Sequence, residues 1–197
     1  DSNYLPAMKK YADNLYKGNG IEMNKEEAFK YFKLAAEEKD SSSMFKCGVM
    51  LDKGDGIESN KEESIIYYKQ VIDQRNREAM FNYGLMKEEE DVSEANQYFK
   101  MSADLGHLPA MIKIAENSCE GNGIEAFKYF YLASEQGDVE SMFKCGEMLY
   151  SGEKVDQNKE LAAFYFKKAA DNGNVEGALK YATMLYKGDG IQSNFEE

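Results

Sequence analysis

Four glycine pairs, Gly18-x-Gly20, Gly54-x-Gly56, Gly121-x-Gly123 and Gly188-x-Gly190, have the spacing with which a loop can cradle a phosphate. That chemistry also needs a preceding strand and a Lys-Ser or Lys-Thr step, and neither accompanies them. The pairs recur once per repeat unit, as a structural turn does and a catalytic loop need not. His107 is the sole histidine, which leaves no triad built around a tuned imidazole. Carboxylates are abundant, yet none stands alone in an apolar setting that would raise its pKa for acid–base work. The run Glu88 to Asp91 lacks the glycine-punctuated spacing of a calcium loop and reads as a solvated corner. Cys47, Cys119 and Cys145 are an odd number, with no Cys-x-x-Cys or histidine-containing ligand spacing. No catalytic residue, cofactor or metal is expected, and binding is the chemistry left.

Charge narrows the class of partner. Against 24 Lys and Arg stand 36 Asp and Glu, a net charge of −12. That balance argues against a phosphate backbone, so no nucleic acid is expected. It suits basic partners, or it keeps the protein soluble. Apolar residues make up 43% of the 197, enough for a folded chain, and no apolar run is long enough to span a bilayer. Sparse cysteine fits a reducing compartment, so the expected location is cytoplasmic. The sequence opens on Asp1-Ser2-Asn3 without an initiator Met, which suggests an excerpt of a longer chain.

What positions any binding residue is a repeat. Ala7-Met8-Lys9-Lys10-Tyr11-Ala12 returns at Ser43, Ala79, Ala110, Ser141 and Gly177, at intervals of 36, 36, 31, 31 and 36 residues. Cys47 and Cys145 share one position of it, where other copies carry Tyr or Ile; they are core residues. A second block follows each first one. Its copies are Ala28…Tyr31-Phe32…Ala35-Ala36, Ser64…Tyr67-Tyr68…Val71-Ile72, Ala95…Tyr98-Phe99…Ser102-Ala103, Ala126…Tyr129-Phe130…Ala133-Ser134 and Ala162…Tyr165-Phe166…Ala169-Ala170. Small or apolar residues at i, i+3, i+4, i+7 and i+8 describe one face of an α-helix. The blocks are helix A and helix B of a pair.

Punctuation agrees with this register. Asn24, Asn60, Asp91, Asn122 and Asn158 stand four residues before the first small residue of helix B, where an N-cap belongs. Gly106, Gly137 and Gly173 close helix B, while Lys39 and Arg75 replace that glycine in the first two repeats. Pro6 and Pro109 stand just before the Ala expected to open helix A. Repeats three and four each lose five residues at the A–B corner. Repeat three has Glu88-Glu89-Glu90 there, and repeat four merges turn and cap at Asn122. Lys154 takes the second glycine position of repeat five.

Leu15-Tyr16-Lys17-Gly18-Asn19-Gly20-Ile21 and Leu185-Tyr186-Lys187-Gly188-Asp189-Gly190-Ile191, with the Ala-x-x-Tyr-Phe-x-x-Ala-Ala block, resemble the Sel-1-like repeat family, a branch of the tetratricopeptide-like solenoids. The resemblance covers essentially the whole chain. It implies an all-α fold, a right-handed α-α superhelix of about five and a half helix-turn-helix repeats, with the A helices lining a concave face. The repeats run at about 7–42, 43–78, 79–109, 110–140, 141–176 and a half repeat 177–197 of one solenoid. Family members are adaptors in quality-control and signalling assemblies. Some secreted bacterial members are associated with β-lactam binding or hydrolysis and carry a cysteine pair in most repeats. No repeat here holds two cysteines. A regulatory or spacer arm of a larger signalling enzyme is the further alternative.

Mapping helix A onto the tetratricopeptide groove puts Lys9, Phe45, Phe81, Ile112, Phe143 and Leu179 in a row. Asp13, Val49, Leu85, Glu116 and Glu147 flank it on one side, and Tyr16, Tyr150 and Tyr186 on the other. Along the whole face acids outnumber bases ten to four, which would favour protein segments carrying bulky apolar and basic side chains. The competing reading makes the Phe row core packing between repeats. Uncapped terminal repeats would expose apolar surface, so end-to-end self-association is also expected.

Overall fold

The structure, a computed structural model, describes residues 4–191. Its helices are α1 (Tyr4–Lys17), α2 (Lys25–Glu37), α3 (Ser41–Lys53), α4 (Lys61–Ile72), α5 (Arg77–Lys87), α6 (Val92–Asp104), α7 (Leu108–Ser118), α8 (Gly123–Glu135), α9 (Val139–Ser151), α10 (Lys159–Asp171) and α11 (Val175–Lys187). No strand occurs among the described residues, and no helix there is long and apolar enough to cross a membrane. The all-α succession of helix pairs is what the chain forms, with odd-numbered A helices and even-numbered B helices. The sixth B helix expected from Asn194 lies outside the described residues.

The chain divides into two compact units, through Tyr98 and from Phe99 on. In the first, α2 packs on α1 and α3, and α4 on α3 and α5; in the second, α8 packs on α7 and α9, and α10 on α9 and α11. Each of these B helices therefore has two A helices to satisfy, and its small residues show how. Ala28, Ser64, Ala95, Ala126 and Ala162 are fully buried, as are Ala35, Val71, Ser102, Ala133 and Ala169 seven residues later. The rings of Phe32, Tyr68, Phe99, Phe130 and Phe166 fill the space those short side chains leave. On the A side, Gly48 and Gly146 receive the rings: a Cβ there would lie 2.9 Å from Tyr68 and 2.7 Å from Phe166.

The B-helix caps stand where the sequence puts them. The side chains of Asn24, Asn60, Asp91, Asn122 and Asn158 accept the backbone N–H of Glu27, Glu63, Glu94, Glu125 and Leu161 at 2.9–3.1 Å. The A helices start earlier than expected. Asp40, Asn76, Asp138 and Asn174 cap them by accepting the N–H of Ser43, Ala79, Ser141 and Gly177. The small residue thus lies in the first turn instead of opening it, and Pro109 sits in the first turn of α7. Lys39 and Arg75 adopt the same left-handed corner as the glycines, with φ of 63° and 61°, at a cost of roughly 1 kcal/mol each. The pair Gly121-x-Gly123 is not the turn its spacing suggests: neither residue has positive φ, and Gly123 already belongs to α8.

Cys47 and Cys145 are fully buried at equivalent places, and all three thiols are free. Burial pushes both buried thiols up to about 12. Titration of the folded protein with an aromatic disulfide reagent is therefore expected to modify partly exposed Cys119 at once. The other two should react only as the protein unfolds; three equally fast thiols would contradict this core.

Candidate protein-binding surface

Met8, Ala12 and Leu15 are the buried residues of α1. Helical geometry then turns Lys9, Asp13 and Tyr16 toward an adjoining face. In the first unit, Asp13 and Tyr16 of α1 meet Phe45 and Val49 of α3 around a cavity of about 180 Å³, floored by Phe32 and Met50. Four of the sequence-selected residues, drawn from two repeats, converge there. Lys9 is engaged elsewhere, its Nζ 2.7 Å from the Asp40 cap. Phe81 and Leu85 of α5, half-buried and exposed, do not line that cavity.

In the second unit, Ile112 and Glu116 of α7 line a cavity of about 350 Å³ against α9. Glu147 and Tyr150 of α9 line a second of about 320 Å³, and Cys119, Phe130 and Lys144 are common to both. Phe143 is a correction. It is only 3% exposed and packs 5.7 Å from the Phe166 ring, so it cannot touch a partner and belongs to the core. Phe45 sits between the two readings, half-buried with its ring centroid 6.2 Å from Tyr68. Leu179 and Tyr186 of α11 are 69% and 75% exposed, and no helix follows α11 among the described residues.

The acid excess is smaller than the sequence count, because several carboxylates are held within the protein. Asp13 pairs with Lys46, Glu78 with Arg77, and Glu140 and Glu147 with Lys144. Hydrogen bonding to Glu147 raises the Lys144 pKa, burial opposing. The sequence reading missed this lysine, although Lys10, Lys46, Lys113, Lys144 and Lys180 hold one repeat position beside the Phe row.

A second set of contacts locks the first repeat to the second and the fifth to the sixth. Tyr16 donates its hydroxyl to Asp55, which lies in the following repeat's glycine turn and accepts a 2.6 Å bond from Lys25. Tyr150, Asp189 and Lys159 repeat the arrangement, at 3.0 and 2.8 Å. The ammonium also lies over the tyrosine ring, at 5.2 Å in one copy and 5.6 Å in the other. Lys25 first and Tyr16 second hold the Asp55 carboxyl below its usual range, and Lys159 then Tyr150 do the same for Asp189. Tyr16 and Tyr150, selected as partner contacts, thus have structural work as well.

Beside each clamp the second turn glycine packs against the lysine at its Cβ. A Cβ on Gly56 would fall 2.2 Å from Lys25 Cβ, and one on Gly190 2.5 Å from Lys159 Cβ. Between repeats four and five the partners are exchanged. Gly123 holds the lysine's place at the start of α8, and Lys154 holds the glycine's place in the next turn. A Cβ on Gly123 would lie 2.3 Å from Lys154 Cβ. The freed ammonium of Lys154 bonds the carbonyl of Cys119. The contact has room for one side chain, from either side.

Comparison with known proteins agrees with this geometry. A family model described as Sel1 repeat matches residues 5–40, 41–76, 78–107, 109–138, 139–174 and 175–197. A Sel1 repeat protein from Oxalobacter formigenes is 25% identical with a TM-score of 0.70, covering 96% of this chain and 80% of that one. A protective antigen of uropathogenic Escherichia coli displaying an SLR fold is 20% identical with a TM-score of 0.74, over 96% of this chain and 43% of that one. An immunity protein of Pseudomonas aeruginosa is 18% identical with a TM-score of 0.53, over 89% and 69%. The last two share the fold alone. No curated protein matches the chain.

Proposed function

The chain belongs to the Sel1 repeat family, whose members are generally protein-interaction scaffolds, and we propose that it holds partner proteins on its A-helix surface without catalysing a reaction. The observation that carries this is convergence. Residues chosen from separate repeats, Asp13, Tyr16, Phe45 and Val49 in one unit and Ile112, Glu116, Glu147 and Tyr150 in the other, line cavities with apolar floors. An apolar floor within a charged rim is what a docked segment needs for affinity and for orientation. Phe143 is left out of the contact set, and Phe81, Leu85, Leu179 and Tyr186 form its outer margin.

The test is selection from a random peptide display library on the purified protein, followed by affinity measurements with Val49→Arg, Phe81→Ala and Glu116→Ala. Selected peptides should bind the wild type, and at least one substitution should weaken each by about tenfold while helicity is retained. If no peptide is enriched, or the affinities are unmoved in all three variants, the surface is not a docking site.

A further inference from the structure

The charges around the second unit's cavities are not evenly spread. Three carboxylates, Glu116, Asp138 and Glu140, face one ammonium, Lys144, around the cavity between α7 and α9. Three ammonium groups, Lys144, Lys154 and Lys180, face Glu147 and Glu153 around the next. Several of these groups are occupied. Asp138 caps α9, Lys144 bridges Glu140 and Glu147, and Lys154 is bound to the Cys119 carbonyl. Of the exposed charges here, Glu116 on α7 makes no ion pair among the described residues on one side. On the other, Lys154 and Lys180 outnumber the unpaired Glu153, so that Glu116 and Lys180 on α11 mark a negative and a positive end. They stand on opposite sides of α9, with the apolar floor of Phe130 and Met148 between them.

We propose that this groove takes an extended segment of a partner protein that carries a basic side chain at the Glu116 end, a bulky apolar one over Phe130, and an acidic one at the Lys180 end. The assignment rests on the scaffold reading above and adds the chemistry of the occupant. Charge complementarity selects it. A segment of uniform charge would meet one attractive and one repulsive end, whereas a segment of mixed charge neutralises both. Length follows from helix packing. From α7 over α9 to α11 is two steps of about one helix diameter, 10–12 Å each, hence roughly 20–24 Å. An extended chain advances about 3.3 Å per residue, which places the two charges about six or seven residues apart.

The probes are three labelled peptides, Arg-Ser-Leu-Ser-Leu-Ser-Asp and its counterparts with Arg or Asp at both ends, with charges and leucines on one face of the extended chain, each flanked by Gly-Ser and read by fluorescence anisotropy at low salt. The mixed peptide should bind the wild type about fivefold more tightly than either like-charged one. Glu116→Lys makes both ends basic and should hand the preference to the double-Asp peptide. Lys180→Glu makes both ends acidic and should hand it to the double-Arg peptide. Equal binding of all three, no binding of any, or a preference that the two variants fail to move would overturn the proposal. The scaffold reading fails separately, on the library selection, since peptides enriched there could occupy the surface without this charge order.

Discussion

Phe166→Ala is expected to destabilise the second unit by about 3–5 kcal/mol, the range for removing a buried aromatic ring and leaving its cavity. The ring is fully buried in α10, with Phe143 at 5.7 Å and Tyr150 at 6.3 Å. It also presses on the backbone of α9 at Gly146, where a Cβ would lie 2.7 Å from it. Its neighbours along α10, Ala162 and Ala169, are too small to fill the space. Repeat arrays do not always unfold in one step, so the informative readout is local. Amides of α9 and α10 should lose hydrogen-exchange protection in step with the shift of the urea midpoint. Phe164→Ala, two residues away and 56% exposed, should move stability by less than about 0.5 kcal/mol. If the two variants behave alike, Phe166 does not form the seam between the helices.

Gly56→Ala should cost about 2–4 kcal/mol and Gly20→Ala only about 1 kcal/mol, although the two residues have nearly the same backbone. Their φ angles are 81° and 75°, so both alanines incur the left-handed penalty of roughly 1 kcal/mol. The surroundings differ. A Cβ on Gly20 meets nothing within 4 Å, whereas one on Gly56 lies 2.2 Å from Lys25 Cβ, and overpacking adds about 1–3 kcal/mol. The difference in denaturation midpoint isolates the contact between the first repeat and the second. Equal losses would mean that the turn glycine serves only its own backbone. The exchanged pair supplies an internal check. Gly123→Ala, with φ in the ordinary range, should still be costly, since its Cβ would lie 2.3 Å from that of Lys154.

Most of the fold is legible in the residues, because a repeat states its pattern several times. Helix pairs, B-helix caps and the small-residue face of helix B all follow from periods of 3.6 and of 31 or 36 residues. The caps of helix A were equally visible, as Asp40, Asn76, Asp138 and Asn174 each stand three residues before the small residue. Sequence reasoning passed over them because the Ala-Met motif drew the boundary to itself. The glycine spacing of Gly121-x-Gly123 misled for a related reason. Spacing does not report φ, and the five-residue deletion moves the second glycine from turn to helix.

The candidate surface was less legible. Phe45 and Phe143 occupy the same repeat position, yet one borders an open cavity and the other is sealed in the core. Periodicity treats them alike; the rings around them do not. Asp13 and Glu147 look like groove carboxylates until a lysine from the next A helix or from the preceding turn of the same helix neutralises each.

From its residues alone the chain specifies hairpins of helices that must shield one another, since amphipathic faces and caps are local and need only neighbours in sequence. Packing alone determines which charge is left unmatched and that Lys25 meets Gly56 as Lys154 meets Gly123. Those outcomes depend on atoms about thirty residues apart along the chain, meeting at distances where one methylene decides between fit and collision.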